Sequence, residues 1–259
     1  MEFRKQFLEK IKNATSYSGN KLANKKIVSC SSILDDDLPW YLKYLHGTGS
    51  KWNFNQSTIG TLAHLGIESI FKQNAQRMEL NIKDDWYLSG EYDVLLRDNN
   101  TYAVIDFKLT KSTLYRDLDK QKDMHPYSMQ LRLYKYMITK LYPEKYNNDN
   151  VKMYIAAAFK DGTRFKRDLV PDFDMIEIKN NMSDEAIEEL LIEKVDRLQD
   201  YISNEKYPEM CKKLFWNRRT GKAKPERCLS FCDVAEHCKH YKKWKDITDN
   251  ENLINLLKL

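Results

Sequence analysis

The sequence predicts an α/β fold in which a mixed central sheet is flanked by helices, with a cysteine-rich lobe at the C-terminal end. Three observations lead there. Residues 86–96 and 101–109 are rich in aromatic, β-branched and other apolar side chains, and Asp98-Asn99-Asn100 between them is a turn signal, so the pair reads as a β-hairpin. Long segments with helical spacing of apolar residues lie on both sides of it, at 57–80, 127–141 and from Ser183 onward. Three of the five cysteines crowd between Cys228 and Cys238.

The hairpin concentrates the chemistry. Side chains on a strand alternate faces, which puts Asp106 and Lys108 on one face with Val104, and assigns Ala103, Ile105, Phe107 and Leu109 to the other, buried face. If Asp93 on the partner strand points the same way, its carboxylate lies near that of Asp106. Two like charges so close call for a cation between them, and a hard divalent metal is the natural candidate.

Elsewhere the chain reads in order as follows. Residues 1–27 suggest a short helix and a basic loop, and residues 40–45 a helix packed through its aromatic groups, with Cys30 just ahead of it. The helix over 57–80 turns Ile59, Leu62, Ala63, Ile67, Ile70 and Phe71 to the core and stacks Gly60, His64 and Glu68 along one stripe. His64 there is either a hydrogen-bonded core residue or a ligand. Residues 111–125 form a polar connection, and Pro126 opens the helix over 127–141, where Gln130 and Tyr134 lie one turn apart. Strands follow at 151–159 and 163–170, and Ser183 caps the last long helix, with Asp184 and Glu185 in its first turn.

Composition narrows the class. The 259 residues suffice for a sizeable core, divided as a core over 1–205, including the N-terminal helices, and a basic lobe over 206–259. The formal charge of +5 is mild, but residues 206–227 alone carry eight basic side chains against Glu209 and Glu226, beside the stacking faces of Phe215 and Trp216. That pairing suits nucleic acid. No apolar run reaches membrane-spanning length, and the start MEFRKQFLEK lacks a signal core, so a soluble, cytoplasmic protein is expected. Cys228, Cys232 and Cys238, spaced C-x3-C-x5-C, suit a metal or cluster site better than a disulfide framework.

Taken in order, Gly60-x3-His64, Gly90-x2-Asp93, Asp106-x-Lys108 and Gln130-x3-Tyr134 resemble the motif series of the RecB-like branch of the PD-(D/E)XK nucleases. With the cysteine triplet, the chain looks most like the iron-sulfur exonucleases of that branch, among them the CRISPR-associated adaptation exonuclease, the AddB nuclease domain and phage relatives. The resemblance spans residues 28 to 240 and implies a restriction-endonuclease-like core. It implies that His64, Asp93 and Asp106, helped by the Phe107 carbonyl, bind Mg²⁺ or Mn²⁺, that Lys108 orients the attacking water, and that Gln130 and Tyr134 steady Lys108 and the DNA strand. The implied activity is metal-dependent cleavage of DNA, as an exonuclease on single-stranded or frayed ends, in recombination, repair or CRISPR adaptation. A helicase, integrase or recombinase is the implied partner, and a DNA-binding subunit with little cleavage of its own is the alternative.

The resemblance also implies a structural 4Fe-4S cluster held by four cysteines. The family takes its fourth cysteine from a Cys-Pro pair just before the first helix, and here that pair reads Leu38-Pro39. Cys30 is the expected replacement and Cys211 its rival; failing both, His237 or His240 would complete a zinc site instead.

Overall fold

A computed structural model describes residues 26–47, 66, 76–160, 173–212, 228, 232 and 234–242. They fall into two compact units: residues 1–34 with 58–195, and residues 35–57 with 196–259.

The first unit carries two mixed sheets. In one, β1 (Lys26–Ser29) runs parallel to β3 (Trp86–Tyr92), and β2 (Gln76–Lys83) pairs with the other edge of β3 antiparallel. In the other, the order is β4 (Val94–Asp98), β5 (Thr101–Thr110), β6 (Val151–Phe159) and β7 (Phe173–Glu177); only the β5–β6 pair is parallel. The expected single central sheet is therefore divided, and the division falls at Asp93. One apolar run in the sequence supplies both β3 and β4, and Asp93 is the bend at which the chain leaves one sheet for the other.

Parallel strands need a crossover, and the link from β5 to β6 contains α2 (Leu114–Gln121) and α3 (Pro126–Leu141). Pro126 sits in the first turn of α3, where a missing N–H costs nothing, and the His125 side chain caps that turn by accepting from the Tyr127 N–H at 3.2 Å. Almost every residue of α3 from Ser128 to Thr139 is buried, which makes it the central helix of this unit. Its Met129, Leu131, Leu133 and Met137 join Trp86, Leu88 and Ile155 in the fully enclosed core. On β6 the alternation is clean, with Val151, Met153, Ile155, Ala157 and Phe159 all buried. The long helix α4 (Asp184–Ser203) begins as its sequence suggests: the Ser183 hydroxyl accepts from the Ala186 N–H at 3.2 Å.

Several expectations need correction. Residues 76–80, assigned to the end of a helix, lie in β2, and residues 26–27, at the end of the stretch read as a short helix and a basic loop, open β1. The connection over 111–125 contains the helix α2, and β7 had no counterpart in the reading. On β5 the buried face is the one that carries Tyr102, Val104 and Asp106; Phe107 is half-buried and Leu109 exposed. The strand lies inside its sheet with partners on both sides, so apolar residues occur on both faces and alternation does not reveal the core side. The expected strand at 163–170, the N-terminal helix, Gly60 and His64 lie outside the described residues.

In the second unit, α1 (Asp37–His46) buries Leu38, Tyr41 and Leu42. Leu38 and Leu42 share a cluster with Cys211, Val234, Ala235, Cys238 and Tyr241, with Tyr207, Cys228 and Cys232 packed against it. Arg197 pairs with Asp37 at 3.2 Å, and the Lys212 N–H donates to Asp36 Oδ1 at 3.0 Å.

Candidate active site

The bend at Asp93 builds the site. Val94 pairs with Ile105 across the hairpin, and continuing that register by one residue sets Asp93 opposite Asp106. Released from the ladder, the Asp93 carboxylate turns back and accepts from the Phe107 N–H, with Oδ2 at 2.6 Å. Both carboxylates are withdrawn from solvent, Asp93 to 8% and Asp106 to 2% exposure. Charges so enclosed persist only with compensation. Lys108 supplies part of it: its Nζ stands 2.5 Å from Asp106 Oδ2. The same ammonium lies 5.0 Å from the centre of the Tyr127 ring, close enough for a cation–π contact that fixes its direction.

The helix α3 closes the site from above. Gln130 Nε2 donates to the Tyr134 hydroxyl at 2.5 Å, and both side chains are buried. Burial holds the Tyr134 phenol protonated far above its usual range, reinforced by the negative charge of Asp106 and, more weakly, of Asp93. A phenol that accepts from Gln130 and keeps its own proton is a donor available to an anionic oxygen. Gly90 explains how the helix comes so close: a Cβ there would stand 2.7 Å from Tyr134 Cε1 and 2.7 Å from Cys30 Sγ. Only a residue without a side chain admits both neighbours.

Of the residues singled out from sequence, Asp93, Asp106, Phe107, Lys108, Gln130 and Tyr134 thus gather in one place. Tyr127 was missed; it lies three residues before Gln130, one turn away on the same helix face, and that spacing was the available signal. The donor set also suits a hard cation. Two adjacent carboxylates offer oxygen ligands, as Mg²⁺ and Mn²⁺ require. Among the described residues no three His, Cys, Asp or Glu side chains stand ready as a metal cage, and the third expected ligand, His64, lies outside them.

The family model described as PD-(D/E)XK nuclease superfamily matches residues 76–239, which include the bend, the hairpin and α3. The chain belongs to the PD-(D/E)XK nuclease superfamily. A crystal structure of SSO0001 is similar to it in fold, with a TM-score of 0.54 and 17% sequence identity over 92% of this chain and 98% of that one. No curated protein matched. Members of the PD-(D/E)XK superfamily are usually metal-dependent nucleases.

The cysteines separate into two environments. Cys30 lies in the first unit, 1% exposed, with its thiol donating to Met137 Sδ at 3.5 Å. Burial pushes its pKa strongly upward. Cys211 and Cys238 belong to the apolar cluster of the second unit, Cys228 and Cys232 pack against it, and none of the five cysteines is in a disulfide. His237 stacks on His46 with ring centres 4.3 Å apart, and His240 tilts against Tyr207 at 5.9 Å. The basic residues between 213 and 227, with Phe215 and Trp216, lie outside the described residues. Among the described residues no helix is long and apolar enough to cross a membrane.

Proposed function

We propose that this chain is a Mg²⁺- or Mn²⁺-dependent deoxyribonuclease that acts as an exonuclease on single-stranded or frayed DNA ends. The observation that carries the reading is the buried Asp93–Asp106 pair with Lys108 at 2.5 Å from Asp106. Asp93 and Asp106, with His64 and the Phe107 carbonyl, would hold the metal. When bound, such an ion polarises the scissile phosphate and lowers the pKa of a coordinated water.

The remaining work falls to this chain's own side chains. The Lys108 ammonium, aimed by Tyr127, orients the attacking water and offsets charge that builds on the phosphate oxygens. Tyr134, steadied by Gln130, donates to the strand and fixes the phosphate in line with the water. Hydrolysis then forms one phosphorus–oxygen bond to water and breaks one to the sugar oxygen, while the burial of both carboxylates excludes competing solvent. The basic segment over 206–227 offers phosphate contacts, and its salt-sensitive grip suits a strand held without regard to sequence.

In the second unit we place a 4Fe-4S cluster in a structural role, with zinc as the alternative occupant. Four cysteines in or against one apolar cluster, none of them in a disulfide, are soft donors of the kind either group takes. Cysteines outside disulfides agree with a reducing, cytoplasmic setting, and we propose a role in recombination, repair or adaptation beside a helicase, integrase or recombinase.

The test is cleavage of end-labelled single-stranded DNA by anaerobically purified protein with Mg²⁺ or Mn²⁺, run beside Asp106→Ala. Cleavage that disappears with chelator and in the variant supports the nuclease, and a ladder growing from one labelled end supports exonuclease action. Full activity in both Asp106→Ala and Lys108→Ala would overturn the site. DNA retention with no cleavage under any metal would assign the chain to a binding subunit instead.

A further inference from the structure

We propose that Tyr115 is a stacking platform for one base of single-stranded DNA, set beside the acid pair so that a nucleotide adjoining the scissile phosphate is gripped through its base as well as its backbone. This rests on the reading of the chain as a DNA nuclease given above.

Three observations carry it, and the first is place. Ladder register sets Lys108 of β5 beside Ala157 of β6, and Ala157 beside Asp174 of β7, so the three side chains share one face of the sheet. Two strand spacings, about 10 Å, separate Asp174 from Lys108. The Tyr115 hydroxyl donates to Asp174 Oδ2 at 2.6 Å, and its ring stacks on Phe159 with centres 5.3 Å apart and planes inclined by 29°. The ring therefore lies on the face that carries Lys108, at the carboxyl ends of the parallel strands β5 and β6, the edge at which open α/β sheets take their ligands.

The second observation is that the ring is fixed and yet open. Asp174 is itself held, because its Oδ1 accepts from the Met175 N–H at 2.8 Å. Phe159 is buried, whereas Tyr115 remains 36% exposed, so one face of the phenol is spent on Phe159 and solvent reaches the rest. An aromatic ring ordered in advance gives up little freedom on binding, and every base has a π-face to offer it.

The third is charge. The segment over 111–122 exposes Lys111, Arg116, Lys120 and Lys122, against an exposed Asp119 and a half-buried Asp117 that pairs with Arg116 at 3.4 Å. Cations around a lone open ring suit a phosphate backbone whose base stacks, while a protein partner would call for a broader apolar patch. Among the described residues of the first unit, two other aromatic rings are as exposed, and neither is so placed. Phe173 pairs with Ala158 and faces the opposite side of the sheet, and Tyr142 follows the far end of α3.

The experiment measures binding of single-stranded oligodeoxythymidylate at fixed salt by the full chain carrying Asp106→Ala, alone and with Tyr115→Ala or Tyr115→Phe. Tyr115→Ala should weaken binding on the order of 10-fold, and Tyr115→Phe, which keeps the ring and loses only the tie to Asp174, should recover most of it. Oligonucleotides with one abasic site moved along the strand separate stacking from a merely structural role. At one position the missing base should cost the Tyr115 protein about as much as Tyr115→Ala does, and cost the Tyr115→Ala protein nothing further. Should Tyr115→Ala fail to fold, as read by its melting curve, 5-iodouracil placed at each position in turn should photo-crosslink the peptide that contains Tyr115 in the Asp106→Ala chain. Unchanged affinity in Tyr115→Ala, additive losses at every abasic position, or no crosslink to that peptide would overturn the proposal. A wild-type chain that neither cleaves nor retains single-stranded DNA would overturn the nuclease reading itself, a result distinct from the loss of one stacking contact.

Discussion

At the scale of single residues, the site depends on close approaches that tolerate little change. Gly90 is the sharpest case, because a methyl group there meets a buried sulfur on one side and the Tyr134 ring on the other, both at 2.7 Å. Its φ is not in the left-handed region, so the cost is steric rather than conformational. Gly90→Ala should destabilise the first unit by about 1–3 kcal/mol and shift Tyr134 away from the acid pair. Urea denaturation reads the first effect and cleavage rate the second. Cys30→Ala in the same chain removes one of the two clashes, so the double variant should regain part of the stability; no recovery would mean that the Tyr134 contact alone sets the cost. Lys108 makes a chemical rather than a packing demand. Lys108→Met keeps the aliphatic bulk beside Tyr127 while losing the charge, and kcat should fall on the order of 10²–10⁴-fold, with DNA binding changed far less.

At the scale of elements, α3 carries the site and both of its fastenings can be tested. Its first turn is capped by the His125 imidazole, which accepts from the Tyr127 N–H and must be neutral to do so. Burial lowers the His125 pKa below its usual 6.5, against a weaker opposing pull from Asp117. A folded state that binds fewer protons than the unfolded chain loses stability as pH falls. The contribution is therefore whole above about pH 6.5 and lost as the pH drops from there through the lower folded value. Melting temperature should decline on acidification, and His125→Asn, which keeps a capping oxygen without the titration, should flatten that part of the profile. Farther along α3, Arg132 is 4% exposed, donates to the Met182 carbonyl at 2.9 Å and pairs with Asp184 at 2.5 Å at the start of α4. Asp184→Ala leaves that guanidinium buried with its main counter-charge gone, at a cost of roughly 3 kcal/mol in urea unfolding. The start of α3, the start of α4 and the whole of β6 were legible in the sequence, because Pro126, Ser183 and a clean period of two are local signals. The strand β2 was not, since RMEL reads equally well as the last turn of a helix, and only its pairing with β3 decides. The division of one apolar run at Asp93 was hidden for the same reason: a bend between two sheets is a tertiary event, and an aspartate in a strand does not announce it.

At the scale of the whole molecule, the acid pair, the lysine and the Gln-Tyr pair were legible as spacings, because each lies within one element or across one hairpin. The grouping of residues 35–57 with 196–259 was not, since it joins segments more than 130 residues apart. That grouping has a thermodynamic consequence. The described core of the second unit has few large apolar side chains, chiefly Leu38, Leu42, Val234 and Tyr241, and four of the residues in or against it are cysteines. The centre proposed for these cysteines would act there as a staple, because metal binding by thiolates that are scattered in the unfolded chain contributes directly to folding. The first unit has its own fully enclosed α3, β3 and β6 side chains. Chelation should therefore act selectively. With the proposed centre bound, hydrogen exchange in α1 peptides should speed up by orders of magnitude on its removal, while peptides from β5, β6 and α3 keep their protection. Equal loss of protection in both sets would mean that the two units unfold as one, and no change in α1 would mean that the cysteine cluster packs stably as thiols alone.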